Sequence, residues 1–266
     1  MTGHHLCIIV GANRGFGREI ALTYASTITT KKNVKLSLVL IGRNREQLRS
    51  TAQSIENDSV HVSTVANFDL GNIDNLDENI GAVSSAIEEL IKSNTFSKSI
   101  LINNAGTLGD LSVTVKDYNW KEAKRHLDVN VTSFVALCSM FLKLIPVSST
   151  NQRVIVNISS LYATQPCAYW GTYCMTKAAR DQLIGVIALE EEGNNTKTLN
   201  YAPGPLDNEM QALVRNTIGD DDQREKLREG FEKGQLVNMS DSAKKLVNLI
   251  LSDSYESGSH VDFYDI

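Results

Sequence analysis

No C-x-x-C pair occurs among the four cysteines, Cys7, Cys138, Cys167 and Cys174, and most of them stand in apolar surroundings. That argues against a disulfide scaffold or a thiolate metal site and points to buried thiols in a reducing compartment. Histidine offers no metal site either: His4 and His5 are adjacent, and His61, His126 and His260 are isolated. No stretch approaches the ~18 consecutive apolar residues of a membrane-spanning helix. The first residues lack the charged start and long apolar stretch of a signal peptide, so a cytoplasmic protein is expected. Basic residues form no run longer than Lys31-Lys32, and the formal net charge is -5. A nucleic-acid surface or an anionic-membrane surface is therefore not expected. Repeats, low-complexity tracts and linkers are also missing. Aromatics make up only 6% and apolar residues 42% of the 266 residues, which suits one sizeable core in a single domain spanning 1–266.

What is present is a regular alternation. Short apolar runs at 6–10, 36–41, 60–65, 99–102, 154–158 and 197–201 read as buried strands. Helical patterns follow Gly17 and recur at 47–55, 73–92, 120–145, from Tyr173 to about 190, and at 240–251. A last strand falls around Val261 and Phe263. Alternating strands and helices predict an α/β fold with a doubly wound parallel sheet. Residues 207–235 break the rhythm: they are polar, charged and helical in pattern, as a lid over a substrate would be.

The first run enters Gly11-Ala12-Asn13-Arg14-Gly15-Phe16-Gly17 and then a helix. Strand, glycine-rich turn and helix are what a dinucleotide pyrophosphate needs, because glycines let the backbone approach and a helix N-terminus offers unpaired N–H groups. The spacing is G-x-x-x-G-x-G, a variant of the usual fingerprint. After the second run stand Gly42-Arg43-Asn44, where an NAD-preferring site commonly carries an acid. Arg43 and Arg14 are either a clamp for a 2′-phosphate, giving an NADP(H) preference, or two solvated arginines. Asp69-Leu70, after the third run, is an adenine contact or a simple cap. The fourth run ends in Asn103-Asn104-Ala105-Gly106, small and amide residues suited to backbone contact with a flat cofactor. Asn130, inside an apolar helical stretch, must be satisfied by a water, a backbone group or a plain buried hydrogen bond.

The chain is organised around 153–210. There a strand ends in Ser159-Ser160, and Tyr173 and Lys177 stand four residues apart at the start of a helix. That spacing puts a phenol and an ammonium on one face. The phenol titrates near ~10 when unperturbed, and a cation close by is expected to lower that value. With a serine hydroxyl holding the same oxygen, the group can pass a proton to or from a carbonyl. The run Ala202-Pro203-Gly204-Pro205 makes a rigid turn suited to the wall of a nicotinamide pocket.

With G-x-x-x-G-x-G, N-N-A-G, the serine and Y-x-x-x-K in order, almost the whole chain resembles a short-chain dehydrogenase/reductase. The resemblance implies a Rossmann-type three-layer αβα sandwich, with a cofactor part at about 1–160 and a catalytic and substrate part at about 153–266. It implies hydride transfer from a nicotinamide and a tetrad of Asn130, Ser160, Tyr173 and Lys177. Ser160 is chosen over Ser159 because the family places its serine thirteen residues before the tyrosine. It implies cofactor contacts at Gly11, Asn13, Arg14, Gly15, Phe16, Gly17, Arg43, Asn44, Asp69 and Leu70. Further along they fall at Asn103, Ala105, Gly106, Tyr173, Lys177, Pro203, Leu206, Asp207 and Met210. One departure is Val10, where the family usually has threonine.

GANRGFGR, LINNAGTLGD, NISSLYATQP, YCMTKAARD, LNYAPGPLDNEMQ and SGSHVDFYD resemble more closely the members that reduce a side-chain carbonyl of a pterin with NADPH, in tetrahydrobiopterin synthesis. In them a C-terminal aspartate anchors the pterin, and the matching residue is Asp262. A carboxylate can accept two parallel hydrogen bonds from an amino-pyrimidinone edge. The same resemblance places substrate contacts at Ser159, Ser160, Tyr173 and Gly204, and implies a homodimer packed through 120–145 and 173–192. A reductase of other small ketones or diketones is the alternative. A non-catalytic nucleotide sensor is a remote one, since both Tyr173 and Lys177 are present.

Overall fold

The computed structural model describes residues 3–31 and 33–266; Lys32 of the basic pair lies outside them. Seven strands form one sheet: β1 (Gly3–Val10), β2 (Val34–Ile41), β3 (Val60–Val65), β4 (Lys98–Asn103), β5 (Gln152–Ile158), β6 (Thr196–Ala202) and β7 (His260–Asp262). Their spatial order is β3-β2-β1-β4-β5-β6-β7, and every neighbouring pair is parallel. The inner strands are apolar almost throughout because helices cover both faces.

The register aligns the carboxyl ends of the strands along one edge. Val10 pairs with Ile41 and Asn103, Asn103 with Asn157, Ile158 with Tyr201, and Ala202 with Asp262. The strand order reverses between β1 and β4, which is where open α/β sheets bind ligands.

Nine helices complete the layers: α1 (Gly15–Thr29), α2 (Arg45–Ile55), α3 (Leu76–Ser93), α4 (Trp120–Leu127), α5 (Ser133–Leu144), α6 (Gly171–Glu190), α7 (Glu209–Thr217), α8 (Asp221–Glu232) and α9 (Met239–Ser252) among the described residues. On one face α1, α2 and α9 bury Ile20, Tyr24, Leu48 and Leu246 against the sheet. On the other, α3, α5 and α6 bury Val83, Ile87, Phe134, Phe141 and Ile184. This is the three-layer sandwich expected from the alternation.

The helix expected at 120–145 has a discontinuity. Between α4 and α5 the chain widens into a π-helical turn, Asp128–Thr132, which carries Asn130. Such turns insert where a side chain makes competing demands on the backbone, and they recur at functional sites. By length and composition, Trp120–Leu144 could cross a membrane. Here it buries Phe134, Leu137, Cys138 and Phe141 in the core instead.

Residues 207–235 form α7 and α8, an excursion whose ends meet where Leu206 bridges Val237. Val214 and Ile218 pack with Leu108, Leu111, Trp170 and Tyr173. Gln223 Oε1 accepts from Trp170 Nε1 at 3.1 Å, and Gln223 Nε2 donates to the Ala168 carbonyl at 3.1 Å. The excursion is docked over the loop that leads into α6 and over Tyr173 in its first turn.

Candidate active site

The glycine loop is a cradle that side chains would fill. A Cβ on Gly17 would lie 2.2 Å from the Gly11 carbonyl oxygen, and Gly11 and Gly15 hold φ of +82° and +56°. Arg14 precedes α1 without a side-chain cap on its N–H groups, and no acidic residue occupies its first turn. Those free N–H groups and the open space at Gly15 fit a pyrophosphate. Beside them is a cavity of about 470 Å³ lined by Asn13, Arg14, Arg43, Asn44 and Gln47. Arg14 is ion-paired with Glu209 at the start of α7. Asn44 already caps α2 by accepting from the Gln47 N–H at 3.0 Å, and Asn13 donates to Gln47 Oε1 at 2.8 Å.

Other expected cofactor residues divide by orientation. Phe16 and Leu206 are core side chains, so only their backbones can face a ligand. Asn103 is also buried, its amide directed at Cys138 Sγ. Asn104, one step along and on the opposite side, donates to the Gly11 carbonyl at 3.2 Å and braces the glycine loop. Ala105 lies 3.0 Å from where a Gly11 Cβ would be. Gly106 sits against Asn130, because a Cβ there would meet Asn130 Oδ1 at 3.1 Å. Asp69 accepts from the Gly71 N–H at 3.0 Å, closing its own turn, and Leu70 packs on the core. Pro203 accepts from Ser242 Oγ at 3.0 Å, Asp207 donates its N–H to Val237, and Met210 is exposed on α7.

Asn130 is fully buried and grips the backbone of one residue, Thr107, on both sides. Its Oδ1 accepts from the Thr107 N–H at 2.8 Å, and its Nδ2 donates to the Thr107 carbonyl at 2.9 Å. His126 Nε2 lies 2.7 Å from the same amide nitrogen. Burial holds the His126 pKa below its ordinary value, so the ring is neutral. Asn130 thus satisfies itself on backbone, fixing the loop that follows N-N-A-G.

Tyr173 and Lys177 share the buried face of α6. Burial pushes the Tyr173 phenol up to about 12, while the Ser160 hydroxyl and Arg180 pull in the opposite direction. The expected lowering by lysine is therefore not found. The reason is that Lys177 is itself desolvated, which drives its pKa well down, and it donates to the Ile158 carbonyl at 2.6 Å. The fixed cation is Arg180, buried one turn beyond Lys177. It donates to the carbonyls of Asn103 at 2.7 Å and Ala105 at 3.0 Å and lies 4.4 Å from the centre of the Phe134 ring. It pins α6 to the end of β4.

The serine pair splits. Ser160 accepts from the Tyr162 N–H at 3.2 Å, is partly exposed, and its hydroxyl is within hydrogen-bond reach of Tyr173. Ser159 is buried and donates to Asp181 Oδ1 at 2.5 Å, so its hydroxyl faces away from the position of a substrate. Gly204, with φ +77°, packs against Val237 and Phe263. Asp262 ends β7 beside Ala202, two strands from β5, about 10 Å by ordinary strand spacing. One of its oxygens accepts from the Tyr264 N–H at 3.0 Å. Neither Arg180 nor Asp181 was identified from sequence. The signal available was their place on the Tyr173–Lys177 face of α6, three and four residues beyond Lys177.

A glycine cradle at the switch point, with a buried Tyr and Lys and a partly open Ser at the neighbouring strand end, defines a nicotinamide-dependent oxidoreductase of carbonyl and alcohol groups. The family model described as short chain dehydrogenase matches residues 5–219, and the chain belongs to that family. Sepiapterin reductase of Bos taurus is 40% identical over 266 residues, covering 99% of this chain and 96% of its own. Benzil reductase ((S)-benzoin forming) of Bacillus cereus is 28% identical over 254 residues, covering 94% and 96%. Among solved structures, an angucycline C-6 ketoreductase with bound NADP superimposes with a TM-score of 0.77 at 21% identity, covering 97% of this chain and 93% of its own.

Proposed function

We propose that this protein reduces a side-chain carbonyl of a pterin with NADPH, converting sepiapterin to 7,8-dihydrobiopterin. The observation that carries the reading is the place of Asp262: it ends β7 on the same sheet edge as Ser160, two strands from β5, a separation of about 10 Å that a bicyclic ring with a short side chain spans. The 40% identity to a sepiapterin reductase along the whole chain supports it.

When bound, a nicotinamide would supply the hydride that the carbonyl carbon takes up. Tyr173, protonated at neutral pH, gives its proton to the carbonyl oxygen. Ser160 orients that oxygen, and Arg180 offsets the charge left on the phenol. Asp262 accepts from the pterin amino and ring N–H groups. Gly11, Gly15 and Gly17 with the α1 N-terminus would hold the pyrophosphate, and Arg14 and Arg43 the 2′-phosphate. Exposed Val135 on α5 and Val186 and Leu189 on α6 support a homodimer through those helices, and the four free cysteines support a reducing compartment.

The test is loss of NADPH absorbance with sepiapterin, with the molar mass in solution measured alongside. Turnover by a dimer supports the reading, and no turnover removes the pterin assignment. Benzil reductases among the relatives favour a diketone as the second substrate to try.

A further inference from the structure

Asp181, one turn beyond Lys177, ties together three strand ends. Its Oδ1 accepts from Ser159 Oγ at 2.5 Å and from Asn157 Nδ2 at 2.9 Å, both on the β5 side. Its backbone carbonyl accepts from Asn200 Nδ2 of β6 at 3.3 Å, and Asn157 also donates to Asn200 Oδ1 at 2.9 Å. Its Oδ2 meets His260 Nδ1 of β7 at 2.6 Å. This last contact stands out because β7 is only three residues long and pairs with β6 alone. An edge strand of that length has little backbone pairing to hold it. A largely buried ion pair two residues before Asp262 adds a side-chain tie from this strand to the interior.

We propose that the Asp181–His260 pair is a positioning device that locks Asp262 of β7 to the Ser159–Ser160 strand end, so that the protonation of His260 sets the affinity for a substrate held at both points. This rests on reading Asp262 as the pterin anchor. Three carboxylates face the imidazole: Asp181 from α6, and Asp262 and Asp265 from its own segment. The β6 neighbour, Asn200, is neutral, and α9 sends Lys245 to the carbonyls of Phe263 and Ile266. The hydrogen bond and charge of Asp181 raise the His260 pKa above its ordinary value. The charged pair is therefore present at lower pH and weakens to a neutral hydrogen bond as the pH rises through that raised value. Only a substrate that reaches both Asp262 and Ser160 feels the change.

The experiment measures KM for sepiapterin and for a small diketone across about pH 6 to 9 in wild type and His260→Gln, together with amide exchange in residues 257–266. The expected result is a rise of about 10-fold in the wild-type KM for sepiapterin with pH, at constant kcat, while the diketone KM stays flat. His260→Gln shows the raised sepiapterin KM at every pH, and its β7 amides exchange at least about 10-fold faster. Equal effects on both substrates, or unchanged exchange in His260→Gln, overturn the proposal. If wild type ignores sepiapterin, the pterin reading fails on its own. The exchange arm then decides the tie: faster exchange sustains it and unchanged exchange overturns it.

Discussion

Lys177 Nζ lies 5.5 Å from the centre of the Tyr173 ring and donates to the Ile158 carbonyl at 2.6 Å. The ammonium is therefore engaged by the end of β5 while it flanks the phenol. The pair is a fixed unit in which Tyr173 alone is placed to exchange a proton with a substrate. Tyr173→Phe is expected to lower kcat by ~10²–10⁴-fold. Its cofactor affinity should stay within a few-fold of wild type, as measured by fluorescence titration with NADPH.

The raised Tyr173 pKa fixes the sign of the pH dependence. A phenol titrating at about 12 is protonated throughout the neutral range, which is the form that reduction consumes. Reduction at saturating substrate should therefore keep its kcat from about pH 6 to 9, while oxidation of the corresponding alcohol rises over the same range. A reduction kcat that falls with a midpoint near neutrality would mean a lowered tyrosine pKa, contrary to the burial seen here.

Cofactor choice should depend on the cavity between Arg14 and Arg43. Replacing Arg43 by Asp is expected to raise KM for NADPH by ~10–100-fold, the equivalent of one lost charge-assisted contact, and to change KM for NADH little. Arg14→Ala removes the Glu209 ion pair as well, so its effect should include a looser α7. Kinetics with both cofactors check the first, and proteolysis near 209–217 checks the second.

Two glycines make opposite predictions for stability. A Cβ on Gly219 would lie 2.2 Å from the Ser112 carbonyl oxygen and 2.7 Å from the Tyr169 ring, so Gly219→Ala should cost ~1–3 kcal/mol. Gly81, within α3, has open space around its Cβ position, and Gly81→Ala should gain ~0.5–1 kcal/mol. Thermal denaturation of the two variants measures both.

The sheet, the glycine cradle and the Tyr–Lys face were legible because each depends on local pattern: apolar runs, glycine spacing, one helical turn. What residue pattern alone left open was the choice between adjacent residues, which only the family spacing settled, and only for Ser160. Asn104 braces the glycine loop and Asn103 faces the core, while Ser160 stands beside Tyr173 and Ser159 points to Asp181. Strand alternation decides both cases, but a one-residue uncertainty in where a strand ends reverses the answer. Arg180 was invisible for a different reason: its partners, Asn103 and Ala105, are backbone carbonyls more than seventy residues away in sequence. The tyrosine pKa was misjudged because the lysine was credited with its charge and not with its burial. Asn130 was expected in a regular helix, yet its grip on Thr107 accompanies a π-helical turn that no residue pattern announces.

A pterin held between Asp262 and the Ser160–Tyr173 pair makes sepiapterin-dependent NADPH oxidation in wild type and Asp262→Ala the decisive measurement. Wild type should turn sepiapterin over, and Asp262→Ala should show a KM for sepiapterin raised by ~10–100-fold, the loss of one or two charge-assisted hydrogen bonds, with the diketone KM unchanged. A wild-type enzyme that reduces the diketone but not sepiapterin, or an Asp262→Ala variant with an unchanged KM for sepiapterin, would contradict it.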